Sequence, residues 1–154
     1  MVLGSSVLEK RSNRMNERTA QSEDRKHSEL SGAILACAME VSNELGVGFL
    51  ESVYHEALLL ALTDAGLFVE TQKPIVVLYR NRIVGKFYAD LVVEGKILLE
   101  LKSAKALAPE HYAQVINYLK ASGIEVGLLL NFGNRRLEYR RVTREETPDI
   151  GGVE

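Results

Sequence analysis

Asp90 lies within YADLVV and Glu100 within ILLELKS, two stretches that otherwise read as strand core, and Lys102 follows two residues after Glu100. Charged groups inside apolar strands carry a desolvation cost and so need a reason. A strand's period of two puts Glu100 and Lys102 on one face and Ile97, Leu99 and Leu101 on the other. Asp90 joins the first set only if the connection through Glu94-Gly95 has odd length. A two-residue loop would pair Asp90 with Leu99 and turn the two acids to opposite faces, whereas a three-residue loop or a bulge brings them within reach of one shared ion. The odd-length loop is predicted. Carboxylates at that separation repel unless one is protonated or a cation lies between them. Mg²⁺, with Mn²⁺ as a substitute, takes one or two protein carboxylates, keeps several waters and accepts phosphate oxygens. Lys102 would then orient or deprotonate an attacking water, or stabilise charge on a phosphorane-like transition state.

The competing explanation is a structural Asp/Glu/Lys ion-pair network. Glu-x-Lys also occurs at Glu94-Gly95-Lys96, where a turn makes a solvated salt bridge the sensible reading. The copy at Glu100 differs because its acid sits in an apolar strand and has an acid partner on the adjacent one. A polar stripe favours the metal reading further. His111, Gln114 and Tyr118 recur at intervals of three and four after Pro109, while Tyr112, Val115, Ile116 and Leu119 supply the apolar face of the same helix. Imidazole, amide and phenol groups suit orientation of a lysine or carboxylate and contact with phosphate.

The elements that must position these groups follow from periodicity. Ile34, Ala38, Val41 and Leu45 mark one face of a first helix ended by Gly46 and Gly48, and a second helix runs from Leu50 or Glu51 to Gly66. Three β-rich runs follow, FVETQKPIVVLYR, RIVGKFYADLVV and KILLELKSA, separated by Asn81 and by Glu94-Gly95. The helix opened by Pro109 closes at Gly123; EVGLLLNF reads as a buried strand and LEYRRV as a half-exposed one. Because a crossover helix usually returns the chain parallel, the order implies an α/β (α+β by some schemes) domain with a mixed central sheet flanked by helices.

With 154 residues, 46% of them hydrophobic, the chain forms one domain, placed at 29–144 between a flexible N-terminal arm, 1–28, and a polar tail, 145–154. Met15 is an alternative start. A net charge of −2 excludes a protein that coats nucleic acid broadly, so any DNA contact is local. Cys37, the single cysteine, excludes an intrachain disulfide and a cysteine-based zinc site. No apolar run approaches the roughly 20 residues needed to cross a bilayer, and a soluble, cytoplasmic protein is expected.

Asp90 followed by Glu100-Leu101-Lys102 resembles the bipartite metal motif of the PD-(D/E)XK nuclease superfamily. Gly48, Glu51 and Tyr54 match the signature of its GxxExxY branch, and flanking text such as LLELKSAKAL and GLLLNFG agrees; the resemblance spans about 30 to 142. It implies a restriction-endonuclease-like core, αβββαβ. Glu51, on the first core helix, would be a further metal ligand, direct or through water, with Tyr54 beside it as an orienting or phosphate-binding group. Gln114 and Tyr118 match a Gln-x-x-x-Tyr element of relatives. Ala89 stands where a proline is common in the superfamily.

The resulting expectation is a Mg²⁺-dependent nuclease hydrolysing DNA phosphodiester bonds, the strand type not being set by the sequence, with Asp90, Glu100 and Lys102 catalytic and no organic cofactor. Lys105, Arg135, Arg136, Arg140, Arg141 and Arg144 would meet the strand. A homodimer or partner protein would add specificity. Two alternatives are a catalytically silent module that binds nucleic acid or protein through the same cleft, and a small-ligand binding protein.

Overall fold

The computed structural model describes residues 5–147. The elements run α1 (Ser5–Leu45), α2 (Glu51–Asp64), β1 (Val69–Tyr79), β2 (Arg82–Val93), β3 (Ile97–Lys102), α3 (Pro109–Ser122), β4 (Val126–Asn131) and β5 (Glu138–Thr143). The five strands form one sheet in the order β1-β2-β3-β4-β5. Only β3 and β4 pair in parallel, through the crossover helix α3; the other neighbours are antiparallel. This is the mixed, helix-flanked α+β sheet that the element order implies.

Alternation along β3 and β4 divides the core. Leu99, Leu101, Leu128 and Leu130 pack under Ile34, Ala38 and Val41 of α1 and Leu58 and Leu62 of α2. On the opposite face Leu98, Leu129 and Val142 meet Val115, Ile116 and Leu119 of α3. Each such leucine contributes roughly 1.5–3 kcal/mol of burial. Gly127 permits the close approach of α3, because a Cβ there would stand 2.8 Å from Val115 Cγ1.

The first helix departs from expectation. Residues 5–28, expected as an unstructured arm, continue α1, and Val7 to Met15 are exposed along it. Helix propagation adds one hydrogen bond per residue once a turn exists, and this stretch of Glu, Lys, Arg, Gln and Ala contains no proline or glycine to stop it. The segments 1–4 and 148–154 lie outside the described residues, while 145–147 follow β5 as turn and coil. Among the described residues no helix is long and apolar enough to cross a membrane.

Candidate active site

The β2–β3 connection is Glu94-Gly95-Lys96, an odd-length loop as predicted, since Val93 pairs with Ile97, Val92 with Leu98 and Leu91 with Leu99. Glu94 (φ 54°) and Gly95 (φ 64°) both take left-handed backbone, and Lys96 N–H donates to Val93 O at 3.0 Å. The register therefore carries Asp90 to a position opposite Glu100.

At that position the two strands stop sharing backbone hydrogen bonds. Leu101 N–H donates instead to Asp90 Oδ2 at 2.8 Å, and Asp90 N–H donates to Glu100 Oε1 at 3.3 Å. Side-chain carboxylates thus stand in for ladder acceptors where β2 leaves β3. On the other side of β2, the β1 residue facing this opening, Gln72, has φ 48°, and the ladder resumes at Lys73 with Ala89.

Burial makes the pair electrostatically strained. Glu100 is 4% exposed. Desolvation, then the charge of Asp90, pushes its pKa up to about 8, against the opposing pull of the Asp90 N–H and of Lys102. Burial also raises the Tyr118 phenol, and the charge of Glu100 adds to it. The Tyr118 hydroxyl accepts a hydrogen bond from Gln114 Nε2 at 2.9 Å. Two members of the helical stripe are thus joined to each other.

The third member does something else. His111 Nδ1 accepts the Ala108 N–H at 3.1 Å, so His111 caps the start of α3 instead of joining Gln114 and Tyr118. A free N–H at a helix start attracts whichever acceptor lies a turn ahead.

Tyr54 is likewise a structural clamp. It is fully buried, stacks on Phe132 at 4.9 Å, donates its hydroxyl to Gly46 O at 2.6 Å and accepts from Phe49 N–H at 3.3 Å. Those bonds hold the α1–α2 turn, in which Gly48 sits at φ 105°, a conformation that favours glycine. Ser103 Oγ donates to Phe49 O at 3.2 Å and so ties the same turn to the chain just after Lys102. Glu51, in the first turn of α2, is placed by this clamp.

Glu51 and Asp90 line one cavity of about 290 Å³ together with His55 and Gln72. Glu100 is not on its wall, and among the described residues no three His, Cys, Asp or Glu side chains gather at ligating separation. The acids are thus a close pair, Asp90 and Glu100, with Glu51 across a cavity from Asp90.

His55 and Asn131 were not singled out from sequence. His55 Nε2 lies 3.0 Å from the Asp90 carbonyl and, since that oxygen only accepts, carries the proton there. Its one sequence signal is the i, i+4 spacing from Glu51. Asn131, fully buried and opposite Lys102 in the parallel register, accepts the N–H groups of Ala104 and Gly133 and donates to Ala104 O. It latches the backbone immediately after the half-buried Lys102. Of the basic residues, Arg140 lies over the Tyr112 ring at 4.4 Å and Arg144 donates to Gly123 O at 2.8 Å, which gives both structural partners.

The sequence matches the family model of the PD-(D/E)XK nuclease superfamily over residues 28–142. The chain belongs to that superfamily. No curated protein matches it in sequence. Among solved structures, the "Crystal structure of SSO0001" is similar with a TM-score of 0.52 at 18% identity, covering 62% of this chain and 50% of that one. The likeness concerns the fold, and the chain spans about half the length of that relative. PD-(D/E)XK nucleases are typically dependent on a divalent metal, and the donor set here fits a hard cation: two facing carboxylates, one of them buried with its pKa raised by desolvation and then by the other's charge, and a cavity beside Asp90.

Proposed function

We propose that this PD-(D/E)XK protein is a Mg²⁺-dependent nuclease that hydrolyses DNA phosphodiester bonds, with Mn²⁺ able to substitute, and that residues 29–144 form the nuclease domain. The observation that carries the reading is the meeting of Asp90 and Glu100 where β2 and β3 part, with Lys102 two residues on. Asp90 and Glu100 would hold the cation, and Glu51 would reach it through a water in the shared cavity. When bound, such an ion supplies Lewis acidity toward a phosphate oxygen. Lys102 orients the attacking water and offsets negative charge developing on the phosphate. Tyr118, fixed by Gln114, positions Lys102 or a backbone phosphate. The GxxExxY placement rests on Gly48, Glu51 and Tyr54, and the clamp made by Tyr54 gives that triplet a physical purpose: it fixes the helix start from which Glu51 projects.

End-labelled single- and double-stranded DNA incubated with the purified protein and Mg²⁺, Mn²⁺ or EDTA tests the proposal. Cleavage that requires metal and disappears in Glu100→Ala and Lys102→Ala is the expected result. Metal-independent cleavage, or cleavage retained in both variants, would overturn it.

A further inference from the structure

The sheet is asymmetric. β2 shares its inner end, Leu91 to Val93, with β3, while its outer part is paired with β1 alone, so the β1–β2 hairpin projects as an arm. Between this arm and α3 lies a groove of about 890 Å³ whose walls include Val77, Leu78 and Phe87 from the arm and Gln114, Asn117 and Tyr118 from α3. We propose that this groove holds unpaired nucleobases of a single-stranded nucleic acid, with Phe87 as the stacking ring. The inference rests on the nuclease reading, because Gln114 and Tyr118 of the proposed site line the groove.

Three observations select this occupant. First, charge: residues 71–89 contain Lys73, Arg80, Arg82 and Lys86 and no Asp or Glu, in a chain whose net charge is −2. Lys73 is engaged by Glu70; Arg80, over the Tyr79 ring at 5.1 Å, and Arg82 flank the tip of the arm, where a phosphate backbone would pass. Second, chemistry: beside one acidic and one basic side chain, Glu110 and Lys120, the groove joins an apolar floor to two side-chain amides, and amides hydrogen-bond base edges while aromatic faces stack bases of any identity. Third, continuity: Phe87 packs 5.4 Å from Tyr118, which lines the same groove and is the residue proposed to position Lys102 or a phosphate. A base on Phe87 would therefore be a near neighbour of the nucleotide at the acids. Bases in a duplex are covered by their stacking neighbours and cannot present a face to a ring inside a groove. A second copy of the chain is a poorer occupant, since a two-fold contact through this surface would set one cationic arm against another.

Fluorescence anisotropy with a labelled poly-dT strand and a duplex of equal length, in EDTA so that no cleavage occurs, tests the inference on the full chain. The single strand is expected to bind at least tenfold tighter. Phe87→Leu keeps apolar packing but removes the stacking face, and should weaken the single strand by roughly 5- to 150-fold, the range measured for one stacked base. Asn117→Glu, at an exposed position that leaves the fold intact, should weaken it as well by placing a negative charge at the groove. Arg82→Ala should lower the salt slope by about 0.7. Equal affinity for both DNAs, no binding by wild type, or wild-type affinity in Phe87→Leu would each overturn the inference. So would self-association that Phe87→Leu abolishes while strand affinity stays unchanged, which would assign the arm to a second copy. A chain that grips single strands through Phe87 but never cleaves them removes the nuclease reading and leaves this one. Metal-dependent cleavage at an unchanged rate in Phe87→Leu does the reverse.

Discussion

The chain carries two Glu-x-Lys triplets on consecutive structural positions, Glu94-Gly95-Lys96 in the β2–β3 turn and Glu100-Leu101-Lys102 on β3. The first acid is exposed and its Oε1 accepts the Phe68 N–H at 2.9 Å, a bond that pins the turn to the start of β1. The second acid is buried, faces Asp90, and accepts one hydrogen bond from the Asp90 backbone N–H. Identical spacing thus serves two purposes, and the deciding variables are burial and the charge across the strand. A carboxylate in water keeps its proton off at neutral pH with no help, whereas a desolvated one beside another acid needs a proton or a cation.

Substitutions on the two triplets should separate them sharply. Glu100→Ala is expected to abolish metal-dependent cleavage, by at least about a thousandfold in kcat, comparable with removal of a main electrostatic group from an active site. Glu94→Ala should leave the rate unchanged. Equal losses in the two variants would erase the distinction.

Stability against pH provides the next largest contrast. The Glu100 pKa rises from 4.5 to about 8 on folding, so between those values the native state keeps a proton that the unfolded chain has released. The unfolded state binds fewer protons there, and stability must fall as pH rises through that window. The total loss is on the order of a few kcal/mol, present in full only above the folded pKa. Chemical denaturation of metal-free protein from pH 5 to 8 should show this fall in wild type and in Glu94→Gln, and a markedly flatter profile in Glu100→Gln. Added Mg²⁺ should recover the loss in wild type. A flat wild-type profile would mean that the acid pair is better solvated than its burial implies.

Tyr54→Phe tests the clamp that places Glu51. Removing the hydroxyl leaves the Gly46 carbonyl and Phe49 N–H without that partner, and a loss of roughly 1–3 kcal/mol in unfolding free energy is expected. The smallest effect belongs to the turn: Glu94→Ala removes one solvent-exposed hydrogen bond and should cost about 1 kcal/mol or less in the same measurement.

Much of the frame was legible in the sequence, for reasons of periodicity. Apolar spacing located α2, α3 and all five strands; the odd-length loop expected at Glu94-Gly95 left Asp90 either opposite or diagonal to Glu100, and the three residues Glu94-Gly95-Lys96 make it opposite. The roles of single polar side chains were less legible. Tyr54 and His111 look like site residues by type, but each found a backbone partner, Gly46 O and Ala108 N–H, and backbone groups leave no mark in a sequence. His55 was overlooked for the same reason, because it binds the Asp90 carbonyl. The extent of α1 was misjudged because Val7 to Met15 are exposed and offer no buried apolar face to read, while helix propensity carries the helix back to Ser5.

Isothermal titration of Mg²⁺ or Mn²⁺ into wild type, Asp90→Asn, Glu100→Gln and Glu94→Gln tests the central claim most directly, since it needs no knowledge of the substrate. The account predicts a single site in wild type and in Glu94→Gln, weakened at least about tenfold in Asp90→Asn and in Glu100→Gln. Equal affinity in all four proteins would contradict it and return the buried acids to a purely structural role.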